Sequence, residues 1–322
     1  MVEAAEVLDV TEPNFHVGKA KSVMSDRGFV ILRNLFPEHI VQETVQSAKI
    51  WLAQPAVAGA AGYWKVDHPK KILNSFILGG GVVELLLNEL VLDIVDSLME
   101  GECVLAETNL KLDRPTKYSY FPLHSDFAAG WSKGPNTGFT LTKSDMQHVL
   151  GVGGAIYLHD TTEGAFSYCD GTHRLGSPHG QNLSAYPEQE RDQILAKCVR
   201  CDGKKGDLVL FDDRGFHGPA QPSSHERLVI IVDYYRVSTF GRSQVSPMPI
   251  WSSDIARLSP RQLRAAGAGA TYMIRPEDYS FTRFKRSRMY SLVIWLIEYA
   301  FILNHLKAEL RSWIKKRVGR WV

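Results

Sequence analysis

Five short strand-like runs, broken by Gly, Asp and Pro, constrain this chain more than any other feature. They are "CVLAETNLKL" (103–112), "GGAIYLHD" (153–160), "GAFSYCDG" (164–171), "GDLVLFDD" (206–213) and "RLVIIVDYYRV" (227–237). Their length and β-branched or aromatic content read as strands, and no long helical pattern separates them. A doubly wound sheet needs such crossovers, so the runs predict a sandwich or jelly roll. Upstream, residues 18–53 read as helix, short strand ("GFVILRNLF") and helix, with Pro37 tolerated in a first turn. Residues 81–99 read as one further helix. The Gly-rich stretch 127–152 has weak periodicity and reads as a long loop, which in a compact domain usually carries function.

With 322 residues and 44% hydrophobic content, the chain can build one large core. Cys103, Cys169, Cys198 and Cys201 are too few for a disulfide scaffold. Cys198 and Cys201 form a lone C-x-x-C without the second pair a zinc site requires. The acidic start "MVEAAEVLDV" lacks the basic and apolar segments of a secretory signal, so a reducing cytoplasmic setting is expected.

The net charge of +2 hides an asymmetry, because residues 283–322 carry ten Lys/Arg against two Glu. This +8 tail contains "MYSLVIWLIEYAFIL" (289–303), followed by Leu306, Leu310 and Trp313 at helical spacing. The apolar run is shorter than the roughly 20 residues a spanning helix needs. A basic amphipathic helix lying on the inner face of a membrane is expected, the alternative being a helix docked on the body or on a second subunit. The expected division is therefore a domain over 1–282 and a C-terminal helix over 283–322. No nucleic-acid partner is expected. Lys65, Lys70 and Lys71 could meet an anion, though a solvated face explains them as well.

The chemistry gathers around "FPLHSDFAAGW" (121–131) and "GDLVLFDDRGFHGPAQPSSHERLVIIVDYYR" (206–236). In an extended segment residues i and i+2 share a face, so His124 and Asp126 can enter one cavity. Alone this pair is a weak signal; His217, in the turn after a strand, supplies a third ligand. Two imidazoles and one carboxylate on one face of an iron leave three positions open, enough for a bidentate 2-oxo acid and dioxygen. Arg227, ten residues beyond His217, offers a permanently charged fork for a distal carboxylate.

This order of motifs resembles the phytanoyl-CoA dioxygenase family of iron(II)/2-oxoglutarate oxygenases. "DRGFVILRNLF", "TTEGAFSYCDGTHRLG" and "GDLVLFDDRGFHG" resemble three of its other segments, and the resemblance spans about residues 18–240. It implies a mainly β fold with flanking helices, a double-stranded β-helix (jelly-roll, cupin-like) core, to which the helical tail is added. It implies Fe(II), 2-oxoglutarate and O2 as cofactor and co-substrates. His124, Asp126 and His217 would be the catalytic metal ligands, and Arg227 would pair with the C5 carboxylate of 2-oxoglutarate. Lys111, with Arg114 as an alternative, would assist from the preceding strand, and Ser125 would hydrogen-bond near the co-substrate. Two positions depart from the family: Pro219 replaces a hydroxyl residue, and the strand near Ala155 lacks a tryptophan. Phe127 and Trp131 are candidates for pocket or core. His173 is a rival ligand, but Leu183 rather than an arginine lies ten residues on, and His225 is expected in a loop.

The expected activity is hydroxylation of an unactivated C–H bond in a small or lipid-linked substrate, sugar-containing or acyl. The carboxylate at Asp126 favours hydroxylation over halogenation. The alternatives are a catalytically silent, membrane-associated binding protein on the same fold and a zinc hydrolase.

Overall fold

The computed structural model describes residues 4–53, 65–67, 70–113, 115, 122–130, 140–220, 223–241 and 250–267. All belong to the unit Met1–Glu277. The tail 283–322, Arg114 and Trp131 lie outside the described residues, as does part of the expected loop, 131–139.

Eleven strands are described: β1 (Val7–Asp9), β2 (Phe29–Arg33), β3 (Lys65–Asp67), β4 (Lys70–Leu73), β5 (Cys103–Asp113), β6 (Gly151–Tyr157), β7 (Thr161–Cys169), β8 (Cys198–Gly203), β9 (Leu208–Asp212), β10 (His217–Pro219) and β11 (Arg227–Arg236). Eight form one sheet in the order β1-β2-β9-β6-β11-β5-β4-β3, and three form a second in the order β10-β7-β8. All the pairings are antiparallel except β1 with β2. The expected jelly roll is what the chain adopts: the facing sheet covers the inner face of each run, and β6 and β9 are buried along their whole length.

Between the sheets, Phe29, Ile31, Ala155, Tyr157, Val209, Phe211 and Val229 meet Phe166, Tyr168, Val199 and Cys201. Phe166 and Phe211 stack across the gap with ring centroids 4.3 Å apart. Burying each such side chain contributes about 1.5–3 kcal/mol. Close approach demands glycine at position 153, where a Cβ would stand 2.2 Å from Phe211 Cζ.

The helices follow local rules. α1 (Val17–Arg27) starts with the His16 ring accepting from the Lys19 N–H at 3.1 Å and ends at Gly28, whose φ of 87° suits only glycine well. α2 (Glu38–Ala53) follows Pro37 as expected. The single helix expected over 81–99 is instead two, α3 (Gly81–Leu86) and α4 (Glu89–Met99). Asn88 breaks the run: its side chain accepts from the N–H groups of Leu90 and Val91 at 3.0 and 3.3 Å and begins α4 afresh. A short helix that the apolar pattern did not signal, α5 (Glu188–Leu195), lies between β7 and β8 and is almost wholly polar.

Candidate metal centre

His217 opens β10, and His124 pairs with it through an isolated antiparallel bridge. Each backbone N–H donates to the other's carbonyl, at 3.0 and 2.9 Å. Asp126 is fixed in turn by its N–H donating to the Asp213 carbonyl at 2.9 Å and by the Gln181 amide donating to the Asp126 carbonyl at 2.7 Å. The segment is thus a single bridge followed by a bend rather than a continuous strand. Extended backbone at His124 still sends residues 124 and 126 to the same side.

The three side chains converge. Asp126 places one carboxylate oxygen 3.6 Å from His124 Nε2 and the other 3.3 Å from His217 Nε2. The ligand atoms lie within 4.8 Å of one another. Two bonds of 2.0–2.1 Å meeting at a right angle would separate donors by about 3 Å, close to what is seen. Both imidazoles are also oriented for a metal: His124 Nδ1 sits 3.1 Å from the Pro122 carbonyl and His217 Nδ1 sits 3.0 Å from the Gly215 carbonyl. A proton held on Nδ1 leaves the Nε2 lone pair facing Asp126, the arrangement a ligating histidine needs. The donor set therefore fits a divalent metal of the 2-His-1-carboxylate type.

Burial opposes a charged His124 ring, but the Asp126 carboxylate and the Pro122 carbonyl outweigh it and hold its pKa above the ordinary value. His217 is enclosed by aromatic rings, with Phe211 at 4.6 Å and Phe166 at 5.7 Å between centroids. One side of the centre is dry and rigid, while Asp126 remains half-buried.

The other expected residues fall in different places. Ser125 points away from Asp126: its buried hydroxyl donates to the carbonyls of Phe127 and Arg214 at 2.7 and 3.0 Å. Its contacts tie two loops together and do not join the triad. Phe127 packs in a core cluster, stacked on Phe240 at 5.6 Å. His173 is buried elsewhere, its Nε2 3.1 Å from the Ser25 carbonyl, and His225 is an exposed partner of Glu163. Cys201 lies in the core and Cys198 opposite Cys169, since residues three apart in a strand face opposite ways. All four cysteines are free.

Arg227 and Lys111 do come together, around a residue the sequence reading missed. Arg227 pairs in register with Asp113 and Val229 with Lys111 across β11 and β5. Arg227 Nε donates to Asp113 Oδ2 at 2.8 Å, and Nη2 bonds the same oxygen. Lys111 Nζ stands 3.5 Å from Asp113 Oδ1. Burial pulls the Lys111 pKa down to about 8 against the upward pull of Asp113, and its ammonium is near enough to His124 to oppose protonation there. The signal was present in "CVLAETNLKLD": Glu107, Asn109, Lys111 and Asp113 alternate along a strand whose other residues are apolar except Thr108. A second acidic group, Asp126 with Asp213 and Asp233, also brings carboxylate oxygens within 4.8 Å of one another.

The fold is shared with solved structures. EctD from S. alaskensis with bound Fe is 18% identical, with a TM-score of 0.55 over 85% of this chain and 93% of that one. The same protein with 2-oxoglutarate and 5-hydroxyectoine is 19% identical, with a TM-score of 0.54 over 77% and 89%. The epimerase SnoN in complex with Fe3+, alpha ketoglutarate and nogalamycin RO is 15% identical, with a TM-score of 0.50 over 68% and 83%. No family model matches the chain, and no curated protein matches it significantly.

Proposed function

We propose that this chain is an iron(II)/2-oxoglutarate-dependent oxygenase of the phytanoyl-CoA dioxygenase type. The observation that carries the reading is the convergence of His124, Asp126 and His217, with both Nδ1 atoms beside carbonyls and both Nε2 atoms turned toward one carboxylate. The likeness of fold to proteins solved with Fe and 2-oxoglutarate supports it. The chemistry that iron(II) supplies there, with 2-oxoglutarate and dioxygen, is oxidation of an unactivated C–H bond.

The protein's part is positional. His124 and His217 present Nε2, and Asp126 adds a charged oxygen between them. Arg227 and Lys111 lie at the β5–β11 end, where the far carboxylate of 2-oxoglutarate would be received. Phe166, Tyr168 and Phe211 exclude water behind His217. Hydroxylation is the outcome we propose, on a small or lipid-linked substrate. The +8 charge of the tail and its 15-residue segment 289–303, apolar except for Ser291 and Glu298, support attachment to an anionic lipid surface. No helix among the described residues is long and apolar enough to cross a membrane.

The test is succinate release from 2-oxoglutarate by the iron-loaded protein in air, followed by mass spectrometry of products from membrane-lipid extracts and from soluble metabolites. Iron-dependent succinate and a product heavier by one oxygen are expected. A protein that binds iron but releases no succinate in either mixture would be a binding protein on an oxygenase fold, and one active only with zinc would be a hydrolase.

A further inference from the structure

The jelly-roll interior changes character across its width. Around β2, β9 and β6 it is apolar, whereas the inward positions of β5 and β11 carry Glu107, Asn109, Lys111, Asp113, Arg227 and Asp233 beside the apolar Val229 and Ile231. At the far end of this polar strip the guanidinium expected to receive a co-substrate carboxylate already holds one. Arg227 and Asp113 are 3% and 4% exposed, and Arg227 gives both Nε and Nη2 to a single Asp113 oxygen. The other Asp113 oxygen faces the Lys111 ammonium at 3.5 Å. These three groups together carry one positive charge rather than two, and the face of the fork best suited to a carboxylate is taken.

We propose that Asp113 is a co-substrate-selectivity residue: by occupying the Arg227 fork it lowers the preference of the site for a 2-oxo acid bearing a distal carboxylate. The inference rests on the oxygenase reading above. A 2-oxo acid is held mainly at its metal-facing end, by the keto and adjacent carboxylate groups. A second carboxylate adds affinity only to the extent that it finds charge not already compensated. An open guanidinium would favour 2-oxoglutarate over 2-oxovalerate, of equal chain length but without the distal carboxylate, by roughly tenfold to a hundredfold. With Asp113 in place the newcomer must share Arg227 with a like charge or displace it. Lys111, itself 3.5 Å from Asp113, is a second cation beside the pair, so the distal carboxylate is accepted but gains little. The position Asp113 takes follows from register, since it closes β5 directly opposite Arg227 on β11. No loop rearrangement is required to put it there.

The experiment is calorimetric titration of the full chain, loaded with manganese(II) and kept without dioxygen, with 2-oxoglutarate and with 2-oxovalerate. For the unaltered protein the ratio of the two affinities is expected below about tenfold. In Asp113→Asn, which keeps the shape but removes the charge, the ratio should rise at least tenfold through tighter 2-oxoglutarate binding, with 2-oxovalerate unchanged. A ratio above tenfold in the unaltered protein, or an Asp113→Asn ratio that stays level or falls, overturns the proposal; a fall would make Asp113 a residue that merely orients Arg227. Should Asp113→Asn fail to fold, the ratio in the unaltered protein decides alone. Binding of neither 2-oxo acid to a protein that holds manganese would defeat the oxygenase reading itself, and the selectivity with it.

Discussion

Replacing Arg214 by Met removes the clamp that shapes the turn delivering His217. Between β9 and β10 the chain reverses through Asp213–Phe216, and the Arg214 side chain fastens this reversal at two points. Its Nε donates to Asp212 Oδ1 at 2.9 Å, its Nη2 to Oδ2 at 2.5 Å, and its Nη1 to the Met146 carbonyl at 2.9 Å. The side chains of Arg214 and Asp212 are 8% and 4% exposed. The substitution leaves the Asp212 charge buried, with hydrogen bonds remaining but no cation beside it in this clamp. Breaking such a pair from one side costs about 3–5 kcal/mol, whereas replacing both members by apolar residues of similar volume costs far less. Urea denaturation should therefore show a loss of about 3–5 kcal/mol for Arg214→Met and a partial recovery for Arg214→Met with Asp212→Leu. Because the same turn fixes the Gly215 carbonyl against His217 Nδ1, manganese affinity in the folded variant should drop by about tenfold or more. A stability loss below about 1 kcal/mol, or an unchanged metal affinity, would refute the clamp as the device that positions His217.

Two further expectations follow from the core and from a buried histidine. Gly153→Ala drives a methyl against Phe211 Cζ and Asp213 Oδ1, so a loss of about 1–3 kcal/mol is expected in denaturation, and a neutral result would show that β6 and β9 can part freely. Burial lowers the His173 pKa below its ordinary 6.5, and among the described residues Nδ1 has no hydrogen-bond partner, so the folded protein disfavours the proton that the unfolded chain accepts. Stability should fall as pH drops below about 6.5, and His173→Gln should flatten that slope without abolishing it, since burial also lowers His159; an unchanged slope would contradict this.

The five strand runs were legible because each has a face that must be buried and a turn residue to close it. Their jelly-roll pairing was legible because no helices long enough for crossovers lie between them. The convergence of the proposed ligands was legible only in part: alternation puts His124 and Asp126 on one side, whereas His217 was joined to them through the order of motifs and the resemblance it carries. What the sequence hid depends on pairing across strands. Asp113 lies 114 positions from Arg227, and only the β5–β11 register makes them partners. Ser125 carried the right chemistry at the right number, but its place between two inward residues sends it outward to backbone carbonyls. The break at Asn88 was readable as a cap, yet the apolar periodicity on either side masked it. Asp213 and Asp233 lacked any local motif, because their meeting with Asp126 requires three separate elements.

The most direct test of the central claim is equilibrium binding of iron(II), measured anaerobically on the full chain and on four single variants. One iron per chain is expected for the unaltered protein, with affinity falling steeply in His124→Ala, Asp126→Ala and His217→Ala and unchanged in His173→Ala. Iron binding that survives all three ligand substitutions, or that is lost equally when His173 is replaced, would contradict the account.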